Sequence, residues 1–172
     1  MNVANPRCFA ALLLLCASVE FALGEAPRQL VVSRPFAQVK TTDAAGNVSY
    51  RVGGVFTEAA DPAKRVSLTF VCQGGKLSLF TVHQHMPRGG GLAAKIAFHV
   101  NDQPVQVVDA TRALGNDLSS YTVANSTEAE TLARLMGGGR TLRLELETYA
   151  YELPLQGLRE ELDDLAAVCP HG

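Results

Sequence analysis

The residues best placed to do chemistry are His83, Gln84, His85 and Met86. On an extended strand His83 and His85 share one face about 6–7 Å apart, and two imidazoles with the Met86 thioether nearby suit copper or zinc in an oxidising compartment. Such a site needs at least a third firm ligand. His99 is the obvious candidate, but a hairpin turning within Pro87–Gly91 would set His83 beside Ala94 and His99 beside Ser78, roughly 16 Å away along the ladder. His171 lies at the terminus. The plain alternative is a pair of solvated loop histidines.

Glu145 and Glu147, also about 6–7 Å apart at i, i+2 on a strand, form a carboxylate pair in principle, but Arg143 beside them marks a solvated polar face. Glu160, Glu161, Asp163 and Asp164 read as the wet side of a helix, since no loop of alternating oxygen ligands surrounds them. Nucleophilic catalysis would need a serine elbow of the Gly-x-Ser-x-Gly type or a free cysteine with a positioned base, and the sequence offers neither. The runs Gly89-Gly90-Gly91 and Gly137-Gly138-Gly139 lack the Lys-Ser/Thr ending of a phosphate cradle. The stretch from Gln84 to Leu92, with Arg88 among the glycines, is either a partner-binding loop or a simple strand connection.

The elements that must hold these residues are mostly strands. Gln29–Arg34 and Val48–Val52 read as strands around a turn at Thr42–Asn47, and Glu58–Lys64 reads as a connecting loop. Val66–Cys72 and Lys76–His83 alternate apolar and polar residues across Gly74-Gly75, a hairpin signature. A second hairpin runs from Lys95–Val100 through Asn101–Pro104 to Val105–Asp109. Asn125, Ser126 and Thr127 precede Glu128 and Glu130 and open a short helix with Leu132, Leu135 and Met136 on its apolar stripe, ended by the Gly137–Gly139 run. Thr141–Thr148 alternates so that Leu142, Leu144 and Leu146 share a buried face. After Gly157, Leu158, Leu162, Leu165 and Val168/Cys169 recur at helical spacing. The expected fold is α+β, mainly β: an antiparallel β-sandwich-like sheet with a short mid-chain helix and a C-terminal helix.

The N-terminal stretch carries Arg7, an apolar run from Phe9 to Val19 and the small residues Ala22 and Gly24. That run is too short for a spanning helix, which needs about 20 apolar residues, and fits a secretory signal cleaved before Glu25. Acylation of Cys16 is the rival reading, opposed by the bulky Leu15 before it. Residues 1–24 are thus expected to leave, taking Cys8 and Cys16, and residues 25–172 to form one domain. The two remaining cysteines, Cys72 and Cys169, then have one possible pairing in an oxidising compartment. Loss of Arg7 and Glu20 leaves the net charge at −2. No block of like charge remains to hold nucleic acid or anionic lipid, and no second apolar run invites membrane insertion. No cofactor is expected.

A strand ending in Cys72, a Gly-containing turn, a second strand, a polar-turned hairpin, a short helix before a glycine stop, an alternating strand and Leu155-Gln156-Gly157-Leu158 opening a helix that ends in Cys169 form a recognisable order. Over residues 66–169 it resembles the small periplasmic VasI-like proteins associated with type VI secretion, and more loosely the invasion-associated locus B proteins. The resemblance implies a periplasmic or secreted, non-enzymatic accessory protein that binds another envelope or secretion-system protein. Within that expectation Arg88, Gly89, Gly90 and Gly91 are the candidate partner-binding residues. A small copper- or zinc-binding protein using His83, His85 and Met86 is the alternative.

Overall fold

The computed structural model describes residues 26–84, 93–115, 118–146 and 149–169. Nine strands and two helices follow in the order β1 (Arg28–Thr42), β2 (Val48–Glu58), β3 (Asp61–Gln73), β4 (Lys76–Gln84), β5 (Ala93–Val100), β6 (Gln106–Leu114), β7 (Leu118–Val123), α1 (Ser126–Gly137), β8 (Thr141–Leu146), β9 (Tyr149–Pro154) and α2 (Leu158–Val168). The strands close into one barrel in the order β1-β2-β3-β4-β7-β6-β5-β8-β9. This overturns the expected sandwich-like sheet. Period-two alternation says only that each strand buries one face, which a sandwich and a barrel satisfy equally. The two differ in whether the first strand meets the last, and here Arg28 and Gln29 of β1 pair with Tyr151 and Glu152 of β9. An odd number of strands cannot alternate direction all the way round, so that closing pair is the parallel one.

The hairpins form where the turn residues demand them. Gly74 and Gly75, at φ 58° and 75°, take the left-handed conformations that a two-residue hairpin turn needs at both positions. Between β1 and β2, Asp43 accepts from the Ala45 and Asn47 amides and the Asn47 side chain. These bonds, led by the Asn47 side chain, hold its carboxyl below the ordinary carboxylate pKa. The expected loop at Glu58–Lys64 is instead a tight turn, because Asp61–Lys64 already belongs to β3.

The expected β4–β5 hairpin is also corrected: β4 pairs with β7, and β5 lies between β6 and β8. Strands β7 and β9 are additional to the strands that the sequence pattern marks. β5, β6 and β7 run as a meander, and the long connection sets β4 beside β7, a Greek-key order. Gln84 and Ala93 therefore end strands three places apart around the barrel, about 14 Å at 4.8 Å per neighbour. At the other end α1 makes the matching crossover from β7 to β8.

Inward residues build the core, with Phe56, Phe70, Phe98, Leu79, Leu144 and Tyr151 almost wholly buried. The helices seal one end. α1 starts at Asn125, whose side chain accepts from the Glu128 amide, and Ser126 Oγ accepts from the Leu77 amide of β4 while donating to Glu130. Ala129, Leu132 and Met136 are its buried face. α2 starts at Gly157 in a left-handed conformation, buries Leu158 and Leu165, and ends at the Cys72–Cys169 disulfide, whose Cα atoms are 5.9 Å apart. The pairing expected from the cysteine count is the one observed. Asn101, with φ 47°, accepts from the Arg140 and Thr141 amides and so fastens the β5–β6 turn to the start of β8.

Candidate functional site

The end of the barrel opposite the helices is polar inside. His83 lies on β4 between Val66 of β3 and Ser119 of β7 and points inward at 2% exposure. It is not a solvated loop residue. Its Nε2 is 3.2 Å from Thr81 Oγ1, two positions back on the same strand face. Tyr121 meets the imidazole edge-on at 5.5 Å between centroids, and Tyr151 lies tilted against it at 5.4 Å. Arg112, also inward and buried, stands over the Tyr121 ring at 5.5 Å and donates from Nη2 to Ser119 Oγ at 3.4 Å.

Nearer the rim, Tyr149 stacks on Tyr151, and Arg28 lies 5.6 Å over the Tyr149 ring while pairing with Glu58 at 3.8 Å. Lys64 joins Glu58 at 3.6 Å and Asp61 at 3.5 Å.

Burial, reinforced by the Arg112 guanidinium, pushes the His83 pKa down to about 3. Burial likewise raises the Tyr151 phenol above its ordinary range; Tyr149, Tyr121 and Glu58 add to that, and Arg28 works against it. At neutral pH the cluster therefore holds a neutral imidazole and a neutral phenol as hydrogen-bonding groups, with the arginine charge spread against an aromatic face. It is a packed polar layer, with Thr81 and His83 closed off from solvent.

Among the described residues no group of three or more His, Cys, Asp or Glu is arranged to hold a metal ion. Of the sequence candidates, His83 is inside the barrel, while His85, Met86, Arg88, Gly89, Gly90 and Gly91 lie outside the described residues, as do Glu147, His171 and the N-terminal segment. His99 is on the outer face of the β5–β8 ladder. There its Nε2 is 3.4 Å from Glu145, and Arg143 is 2.6 Å from the same carboxylate oxygen.

Sequence reasoning missed Arg112, Tyr121 and Tyr151. Arg112 continues the inward row of Val108 and Ala110, which was the available signal. Tyr121 and Tyr151 stand on β7 and β9, the two strands that the sequence pattern does not mark.

Two grooves mark the outer surface. One, of about 530 Å³, lies between α1 and α2 at the sealed end, with Leu162 and Ala166 below and Arg134 and Arg159 at its edge. The other, of about 430 Å³, crosses the outer face of β1–β4 near the polar end and is lined by Arg34, Arg65, Ser67 and Gln84 over Val55 and Val82. The chain matches no family model, no curated protein and no solved structure. No helix among the described residues is long and apolar enough to cross a membrane.

Proposed function

We propose that this chain is an exported, non-enzymatic accessory protein of the bacterial envelope that binds another envelope or secretion-system protein through its outer surface. The observation that carries the reading is the filling of the barrel. Phe56, Phe70, Phe98, Leu144 and Tyr151 occupy the interior at under 2% exposure, so recognition falls to the outside of the sheet and to the loops at its polar end. The Cys72–Cys169 disulfide and the apolar segment at Phe9–Val19 support export, because such a bridge persists in oxidising compartments. The likeness to VasI-like proteins over residues 66–169 points the same way.

Two measurements test it. Mass spectrometry of the envelope fraction should find a product beginning at Glu25 with the disulfide intact. Crosslinking of the tagged protein in intact cells should capture one reproducible envelope partner. A product that keeps residues 1–24 in the cytoplasm would refute export, and crosslinks to no envelope protein would refute the accessory role.

A further inference from the structure

The four strands that carry the groove near the polar end are short of acid. β1 and β4 contain no carboxylate, β2 contains only Glu58 and β3 only Asp61. Both are engaged, Glu58 by Arg28 and Lys64, and Asp61 by Lys64. Arg34 and Arg65 on the groove are exposed and have no ion pair among the described residues, although Arg65 Nε donates to the Pro62 carbonyl at 3.4 Å.

Strand register gathers these two cations on one recess. Arg34, Val55, Ser67 and Val82 stand opposite one another in a single row across β1–β4. Arg65, opposite Gln84, stands two residues further along β3. The Cα atoms of Arg34 and Arg65 are thus about 12 Å apart, at about 4.8 Å per strand and 3.3 Å per residue, with only the shorter side chains of Val55 and Ser67 between them. The first bulge of β1 sets Ser33 and Arg34 together against Val55, and a bulge re-aims side chains. Both residues line the recess.

Its volume, about 430 Å³, is that of a small-ligand site. Val55 and Val82 form the floor, and the polar groups around it can all donate: two guanidiniums, the Ser33 and Ser67 hydroxyls and the Gln84 amide. No carboxylate lines it. Two guanidiniums match the charge of a phosphate monoester more fully than the single charge of a carboxylate, and their forked donors suit phosphate oxygens. The hydroxyl and amide donors beside them suit a carrier rich in hydroxyl groups.

We infer that this recess binds a phosphorylated sugar, with the phosphate between Arg34 and Arg65 and the ring over Val55 and Val82, in reach of Ser33, Ser67 and Gln84. The inference goes beyond the partner-binding reading and does not depend on it. A free sugar phosphate and the headgroup of a phosphorylated glycolipid offer the same chemistry.

The test is calorimetric titration of the exported form with glucose 6-phosphate, with glucose as control. The phosphate should bind at one site, about tenfold or more tightly than glucose. Arg34→Gln/Arg65→Gln should weaken it by about tenfold or more, whereas Arg51→Gln/Lys76→Gln, which removes the same charge from exposed positions outside the recess, should leave it unchanged. Ser67→Val keeps both guanidiniums but fills the recess, and should weaken binding as well. Circular dichroism checks that each variant is folded. Cosedimentation with phosphatidylcholine vesicles carrying a diphosphorylated glucosamine lipid separates the two sources. Retention that glucose 6-phosphate displaces assigns the site to a glycolipid headgroup, and soluble binding without retention assigns it to a free sugar phosphate.

Equal affinity for glucose and its phosphate, equal losses in the two double variants, or indifference to Ser67→Val would overturn the inference. So would the absence of both soluble binding and vesicle retention, and none of these results bears on whether an envelope protein is captured by crosslinking.

Discussion

His83 couples the stability of the barrel to pH. In the folded chain its pKa is held down at about 3 by burial and by Arg112, whereas in the unfolded chain an imidazole titrates near its ordinary value of about 6.5. As the pH falls, the unfolded state takes up this proton first. The neutral ring's contribution to folding is therefore whole above about pH 6.5 and is lost progressively down to about pH 3. The slope is about 1.4 kcal/mol per pH unit, which gives about 2 kcal/mol between pH 7.5 and pH 5.

Urea unfolding of the wild type and of His83→Gln at those two pH values measures it. Glutamine keeps a polar group within reach of Thr81 but does not titrate. At a typical urea dependence of about 1–3 kcal/mol per molar, the wild-type midpoint should fall by about 1 M more than the variant's on acidification. His99 is present in both proteins and cancels in the difference. Equal displacements of the two midpoints would refute the conclusion that the barrel holds His83 neutral in its interior.

The disulfide should be a large share of total stability. The chain-entropy model assigns a loop of about 100 residues about 4–5 kcal/mol, so Cys72→Ser/Cys169→Ser should melt about 10 °C or more below the wild type by calorimetry, and reductant should lower the wild type alike. Gly139→Ala should cost about 1–3 kcal/mol in chemical denaturation, because a Cβ there runs into Val100 Cγ1 and meets Leu155 at 3.0 Å. Asn101→Ala removes the acceptor for two amides at a left-handed position and should cost about 1–3 kcal/mol, while Asn101→Gly should recover part of it by relieving the backbone.

Local chemistry was readable in the sequence. Gly74-Gly75 announces its hairpin, Asn125 and Ser126 announce the start of α1, and Leu142, Leu144 and Leu146 announce which face of β8 is buried, because each depends on residues close in the chain. Barrel closure was not, since it rests on Arg28 and Gln29 meeting Tyr151 and Glu152 from opposite ends of the domain. β7 was missed because Leu118-Ser119-Ser120-Tyr121-Thr122-Val123 is polar for a strand. Its inward Ser119 is accounted for only by Arg112 and His83 on the neighbouring strands β6 and β4. Without β7 the sequence offers β4 no neighbour but β5, and that pairing leaves His83 at a surface.

The short closing ladder also bears on how the molecule moves. A ring of equally paired strands has no preferred place to come apart, whereas this one has a join held by two residue pairs between strands nearly the whole described chain apart. Local opening should begin there. The amides of β1 beyond Gln29 would exchange with solvent ahead of those in β3 and β4, and during folding the β2–β3–β4 meander would assemble before the ring is drawn shut. The barrel then behaves less as a sealed cylinder than as a sheet rolled up and fastened along one line, with the disulfide-tethered helix holding the roll while the join opens and closes.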